Sequence, residues 1–375
     1  MRVSFPFPAM VGHRKLKTAY LANIINPEIG GLLISGPKGT GKSTVVYSVQ
    51  DILPDFNAVK DCPFNCCTDK EAPLCSRCQE SMTRDRRLPT EKRRSPVVSL
   101  PLSCTEDRLI GTIDVEALLK SGEKVIQPGI LGEANNGILY IDEVNLLPDH
   151  IVDDILDVSA SHWNNIEREG ISYSHPSCFI LVGTMNPEEG ELRPQILDRF
   201  PLSVKLESIT DIESRKEIIK RNILFETNPV KLQELFQDDI ETYRQLILSA
   251  RARLPQVIFS DYILATIAGA CSALKVDGQR PDIVILKTSI TITAMEQREA
   301  VKEEDVYLAA ELTLGHRTRD GGLLPPATPE EIKEAFQKSF SEQSNNEKAF
   351  TDKSTMLDIN ATKGHDQLVQ KKNPL

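Results

Sequence analysis

The chain predicts an α/β fold: a mostly parallel sheet flanked by helices, followed by an all-helical domain. Three observations predict it. A glycine-rich phosphate-binding string stands between a strand and a helix. Short apolar runs without clean alternation recur between helical or irregular stretches, as buried parallel strands require. Beyond about residue 210 the strand-like runs stop and helical spacing takes over.

The first element is the apolar run Gly31-Leu32-Leu33-Ile34-Ser35, read as a strand. It feeds Gly36-Pro37-Lys38-Gly39-Thr40-Gly41-Lys42-Ser43, a G-x-x-x-x-G-K-S string. The string is a phosphate cradle only when a strand enters the loop and a helix leaves it, because loop amides and helix N-terminus must converge on one anion. Thr44-Val45-Val46-Tyr47-Ser48-Val49 supplies that helix, which Pro54 stops. Gly36 through Thr44 are therefore the expected nucleotide-binding residues, with Lys42 reaching the β- and γ-phosphates and Ser43 ligating Mg²⁺. Further strands are expected at residues 95–100, 137–142, 178–183 and 202–206. From residue 211 the positions Ile212, Ile218, Ile219 and Ile223 carry helical spacing. Pro281-Asp282 opens a long helix, since proline is well placed at a first helical turn. After Asp320 the composition drifts to Pro, Ser, Asn, Lys and Gln. Pro329-Glu330-Glu331 begins one more helix, and a mobile polar tail follows. The expected domains are a nucleotide-binding core over residues 1–209, a helical domain over 210–320 and a largely flexible tail over 321–375.

Composition narrows the partners. The 375 residues are 40% hydrophobic and 26% charged, ordinary for a soluble protein, with a formal net charge of −10. That sign argues against a general nucleic-acid binder, which needs a basic footprint. The start has no apolar signal region, and no apolar stretch is long enough to span a bilayer, so a cytoplasmic address and no membrane partner are expected.

Two carboxylates end the run Ile138-Leu139-Tyr140-Ile141-Asp142-Glu143. At the carboxyl end of a parallel strand they face the ligand crevice. Asp142 is expected to hold Mg²⁺, and Glu143 to polarise the water attacking the γ-phosphate. Val182-Gly183-Thr184-Met185-Asn186 ends the next strand in an amide, which either orients that water or turns the chain before Pro187. Arg193 and Arg199 follow. An arginine inserted into a neighbour's site raises hydrolysis by about 10³–10⁵; the bland alternative for Arg199 is a surface pair with Asp198.

The order phosphate loop, Asp-Glu strand, strand-terminal Asn, arginine and helical domain resembles the AAA+ ATPases. Within them the wording is similar to the ATPase (I) subunit of magnesium chelatase. The matching passages are Phe5-Pro6-Phe7-Pro8-Ala9-Met10-Val11-Gly12, Thr105-Glu106-Asp107-Arg108-Leu109-Ile110-Gly111-Thr112-Ile113-Asp114 and Gln127-Pro128-Gly129-Ile130-Leu131. So are Leu139-Tyr140-Ile141-Asp142-Glu143-Val144-Asn145-Leu146-Leu147, Ile166-Glu167-Arg168-Glu169-Gly170-Ile171-Ser172 and Gly183-Thr184-Met185-Asn186-Pro187-Glu188-Glu189-Gly190-Glu191-Leu192-Arg193-Pro194-Gln195. The likeness runs from about Phe5 to Arg319. It implies an AAA+ core with an all-α lid, Asn186 as sensor 1, Arg199 as the finger acting in trans, and Arg280 as the sensor-2 arginine. Arg280 by itself reads as a helix-start residue. The resemblance further implies a hairpin over residues 164–175 and a homo-oligomeric ring, a hexamer. Implied partners are a D-type subunit and a large porphyrin-binding subunit, with ATP hydrolysis driving Mg²⁺ into protoporphyrin IX. A cobaltochelatase-type motor, or an AAA+ ATPase remodelling DNA or protein clients, is the competing expectation. The chain departs from the family at Ala134-Asn135-Asn136-Gly137, where an Ala-Asn-Arg-Gly sequence is expected, so no role of that arginine carries over.

Five of the eight cysteines fall between residues 62 and 78. Cys62 and Cys66, with Cys75 and Cys78, give two close pairs that suit a tetrahedral S₄ zinc site. Thiol redox control and an incidental cysteine-rich loop stay open beside it. The basic run over residues 84–94 reads as a solvated loop or a local nucleic-acid patch.

Overall fold

The five runs expected as strands lie side by side in one sheet. In chain order the strands are β1 (Gly31–Ser35), β2 (Asp55–Val59), β3 (Thr90–Arg94), β4 (Val97–Leu100), β5 (Gly111–Ile113), β6 (Ile126–Pro128), β7 (Gly137–Ile141), β8 (Trp163–Arg168), β9 (Ile171–Pro176), β10 (Phe179–Met185) and β11 (Leu202–Lys205). The sheet order is β11-β1-β10-β7-β4, and every pairing in it is parallel. The computed structural model describes residues 3–69, 72–85, 87–113, 126–168, 171–190, 192–197 and 199–349.

Burial explains why these segments are continuous apolar runs. Every residue of β7 and β10 is buried, which alternating polar residues would forbid. Helix Asp149–Ser161 lays Ile151, Val152, Ile155 and Leu156 into a core that includes Leu33, Leu139, Ile141, Leu181 and Phe200. At the entry to β7 only glycine fits: a Cβ on Gly137 would lie 2.2 Å from the Pro96 carbonyl oxygen.

Among the described residues three antiparallel pairs form two-stranded sheets of their own: β2–β3, β5–β6 and β8–β9. The last runs from Trp163↔Pro176 to Arg168↔Ile171, so the hairpin implied over residues 164–175 is present. The basic run over residues 84–94 ends in β3, whose residues are mostly exposed.

The chain divides into two units, Met1–Ile247 and Leu248–Leu375. The division falls later than the change of sequence texture near residue 210. Helices after that point stay with the first unit because they pack on its N-terminal segment. Leu232 is buried with Phe5 and Ala9, Arg221 Nη1 donates to the Ala9 carbonyl at 2.8 Å, and Arg244 Nε donates to the Asp51 carbonyl at 2.8 Å.

The second unit contains helices Asp261–Ala273, Arg280–Met295, Glu303–Leu314 and Pro329–Ala349. Its buried Asp305 is fully engaged, accepting from Thr293 Oγ1, the Lys302 amide and the Arg298 guanidinium. The helix expected from Pro329 is present, within the span read as a largely flexible tail. Helix Pro329–Ala349 buries Ile332, Phe336 and Phe340, an i, i+4, i+8 stripe. Ser339 Oγ donates to the Thr266 carbonyl at 2.9 Å. The polar composition masked that stripe; residues 350–375 of the expected tail lie outside the described residues. Among the described residues no helix is long and apolar enough to cross a membrane.

Candidate nucleotide site

Register brings the sequence-predicted residues together. Met185 is level with Ser35 and Ile141 with Gly183, so β1, β10 and β7 end at nearly one height. Gly36, Asn186, Asp142 and Glu143 are the next residues out of those strands. Because β10 separates β1 from β7, the acidic pair stands about 10 Å from the phosphate loop across two strand spacings. That gap suits a polyphosphate.

The loop's shape rests on glycine. Gly39 and Gly41 have φ of 81° and 79°, with nothing within 4 Å of an added Cβ, so backbone conformation alone demands them. Helix Lys42–Ser48 begins directly after Gly41. Lys42 Nζ donates to the Gly36 and Pro37 carbonyls at 2.5 and 2.9 Å, which holds it over the loop. Lys38 pairs with Glu189 at 2.5 Å. That hydrogen bond raises the lysine's pKa and lowers the carboxylate's.

Tyr140 organises the acidic side. Its hydroxyl donates to Asp142 Oδ1 at 2.7 Å, and Thr184 Oγ1 donates to the same oxygen at 2.6 Å. Burial is the main cause that pushes the Tyr140 phenol's pKa up, and the hydroxyl also faces Ser43. Ser43 and Asp142 therefore adjoin one hydroxyl, two hard oxygen donors of the kind Mg²⁺ takes. Glu143 has φ of 53°, a left-handed conformation costing about 1–2 kcal/mol for a side chain with a Cβ. Its amide donates to Thr184 Oγ1 at 3.2 Å, which holds that turn. Strain retained at this position fits a functional one. Asn186 is buried, and its Oδ1 accepts from the Glu188 amide at 3.2 Å, so the turn-forming reading is realised while the residue still borders the phosphate side.

Arg199 is elsewhere. It precedes β11, whose first residue Leu202 pairs with Leu32 near the start of β1. It thus lies at the end of the sheet opposite the phosphate loop, roughly a strand's length of 13–17 Å away. Its guanidinium contacts Asp157 at 3.5 Å; the pairing with Asp198 lies outside the described residues. Arg193 pairs with Asp149. Arg280 opens helix Arg280–Met295 in the second unit.

One part of the site was not read from sequence. A cavity of about 570 Å³ adjoins the loop at Gly39, Gly41 and Thr44, walled by Met10, His13, Ile209 and Ile218. Its apolar walls beside a phosphate loop suit a nucleoside base. The Phe5–Gly12 passage was the available signal, because its residues carry the chain around this cavity. Burial, then nearby Lys17, lowers the His13 pKa, so the imidazole is neutral at pH 7.

The cysteines meet as well. Cys62, Cys66, Cys75 and Cys78 are buried with all four sulfurs within 4.8 Å of one another.

Residues 10–195 match the family model described as magnesium chelatase, subunit ChlI, and residues 264–338 match the AAA lid domain. The magnesium-chelatase subunit ChlI homolog of Methanocaldococcus jannaschii is 48% identical across 92% of this chain and 94% of its own length. Magnesium-chelatase subunit ChlI of Chlorella vulgaris is 42% identical across 90% of this chain and 96% of its own length. Among solved structures, a chain from the cryo-EM-based complex between subunits BchI and BchD of magnesium chelatase is 38% identical with a TM-score of 0.50, covering 89% of this chain and 100% of that one. Likeness of that extent, on a parallel sheet with a helical lid, shows that this chain belongs to the AAA+ family of magnesium chelatase subunit ChlI.

Proposed function

We propose that the chain is the ATP-hydrolysing motor of a magnesium chelatase and drives Mg²⁺ into protoporphyrin IX with a D-type subunit and a large porphyrin-binding subunit. The observation that carries the reading is the convergence of Gly36, Asp142, Glu143 and Asn186 at the ends of three adjacent strands, with Ser43 facing the Tyr140 hydroxyl that also binds Asp142. The similar chain in the complex between subunits BchI and BchD supports the D-type partner.

ATP enters with its base in the cavity beside Met10 and His13 and its phosphates against the amides of residues 36–44. Lys42 exchanges its carbonyl partners for phosphate oxygens. Ser43 and Asp142 would hold the Mg²⁺ that accompanies ATP, which neutralises charge developing on the phosphates. Glu143 takes the proton of the attacking water, and Asn186 orients that water. Arg199, remote from its own loop, completes the site of a neighbouring protomer in a hexameric ring. Arg280, at the start of helix Arg280–Met295, is the sensor-2 arginine that the family resemblance implies.

Such a motor has physical work to do, because Mg²⁺ sheds water reluctantly and prefers octahedral oxygen ligands to a planar nitrogen square. The test is reconstitution. Chain, ATP, Mg²⁺, protoporphyrin IX and the two companion subunits are mixed, and metal insertion is followed by the porphyrin's fluorescence. Insertion that needs this chain and ceases with Lys42→Ala supports the proposal. Insertion that proceeds without the chain, or insertion of cobalt alone, overturns it.

A further inference from the structure

We propose that Cys62, Cys66, Cys75 and Cys78 bind one structural zinc ion, and that this ion locks the β2–β3 insert onto the β8–β9 hairpin and the segment entering β7. The inference is independent of the nucleotide site.

The geometry is that of a single ion. A tetrahedron of sulfurs at the usual Zn–S length of about 2.3 Å has edges of about 3.8 Å. Cys62 Sγ and Cys75 Sγ lie 3.9 Å apart, and no pair among the four exceeds 4.8 Å. A disulfide needs about 2.05 Å. An iron–sulfur cluster places several iron and sulfide atoms between its cysteines, more than this volume admits. Backbone amides also point at the sulfurs: the Cys75 amide donates to Cys66 Sγ at 3.3 Å, and the Cys66 and Cys78 amides face Cys62 and Cys75. Donation of that kind stabilises thiolates around a cation. Among the described residues it is Cys66, and not its neighbour Cys67, whose sulfur lies within 4.8 Å of the other three; Cys67 Sγ accepts from the Asp69 amide at 3.2 Å.

The ligands sit where a staple has something to hold. Apart from the sulfurs, this small core contains Val59 and Phe64, with Leu74, Leu88, Ile126 and Tyr173 packed against it. Phe64, between the first two ligands, stacks on Tyr173 and His175 of the hairpin with centroids 5.5 and 4.2 Å away. Its carbonyl accepts from Asn135 Nδ2 at 2.8 Å, and the Asn65 carbonyl accepts from Asn136 Nδ2 at 2.9 Å. Asn136 has φ of 60°, a conformation asparagine tolerates better than most residues. The departure from Ala-Asn-Arg-Gly thus has a local purpose: Asn136 grips the cysteine loop. Four thiols release four protons as one Zn²⁺ binds, giving a tetrathiolate of net charge −2.

The experiment uses the full chain purified without chelator. Elemental analysis should find about one zinc per chain, falling below about a tenth in Cys66→Ser and Cys78→Ser and unchanged in Cys67→Ser. Exchange of zinc for Co²⁺ in the wild type should produce the visible bands of a tetrahedral tetrathiolate, a readout independent of whether the serine variants fold. Trp163, the chain's single tryptophan, begins β8. Its emission should shift when zinc is stripped and return when zinc is restored. Native protein carrying no metal, iron in place of zinc, disulfides among the four cysteines, or zinc lost equally from Cys67→Ser would overturn the proposal.

Discussion

Arg199→Ala separates a residue that works in a neighbour's site from one that decorates the surface. In the protomer its guanidinium contacts Asp157 at 3.5 Å, with the two side chains 41% and 77% exposed. An exposed pair of that kind contributes about 0–1 kcal/mol, so the variant should fold with a Tm within a few degrees of wild type. As a finger the same residue is worth about 10³–10⁵ in kcat, which converts to about 4–7 kcal/mol of transition-state stabilisation. The two readings therefore differ by several kcal/mol in activity and hardly at all in stability. Position in the sheet adds a sharper demand. Because Arg199 lies at the opposite end from its own phosphate loop, its loss must be complemented by another protomer. Equal mixing of Arg199→Ala with Lys42→Ala chains leaves roughly a quarter of head-to-tail interfaces with an intact site and an intact finger. Phosphate release from the mixture should recover to about that share of wild type. Activity of the mixture no greater than the sum of the two variants would refute the trans assignment.

Phe336→Ala should lower stability by about 3–5 kcal/mol, read as the midpoint of denaturant unfolding, because Phe336 is fully buried in helix Pro329–Ala349. An effect within error would return residues 329–349 to a loosely held extension. Gly129→Ala should destabilise at or beyond the 1–3 kcal/mol usual for overpacking, since its Cβ would meet the Leu109 carbonyl oxygen at 2.3 Å and the Gly111 amide nitrogen at 2.4 Å. Thermal melts would report it. His13 makes stability fall with acid. Its folded pKa lies below 6.5, so below that pH the unfolded chain takes up the proton first and is favoured. Wild type should lose stability relative to His13→Gln as pH drops below about 6.5, with the difference constant above it; a difference independent of pH contradicts the burial.

The sheet was legible because parallel strands buried on both faces must be apolar throughout. Residues 31–35 and 137–141 could hardly be anything else once the phosphate loop fixed the first of them, whereas the edge strand over 202–205 alternates with exposed Lys205 and gave the weakest signal. The placement of Asp142, Glu143 and Asn186 was legible for the same reason, as they are simply the first residues past those strands. The base cavity was not, since it forms from Met10, Ile209 and Ile218, far apart in sequence and unremarkable singly. The unit division after Ile247 left no mark in the sequence, because Phe5 and Ala9 claim Leu232 as core, a long-range contact without local signal. Among the cysteines, spacing named the four that come together while leaving zinc, redox control and an incidental loop open, since only folding brings the pairs within 4.8 Å.

Glu143→Gln bears most directly on the claim that this chain is an ATP-driven motor. Nucleotide binding by calorimetry and phosphate release should be measured on the same preparation. ATP affinity should stay near wild type while turnover drops by about 10²–10⁴, the range for removal of a general base. Unchanged turnover, or binding lost together with hydrolysis, would contradict the account.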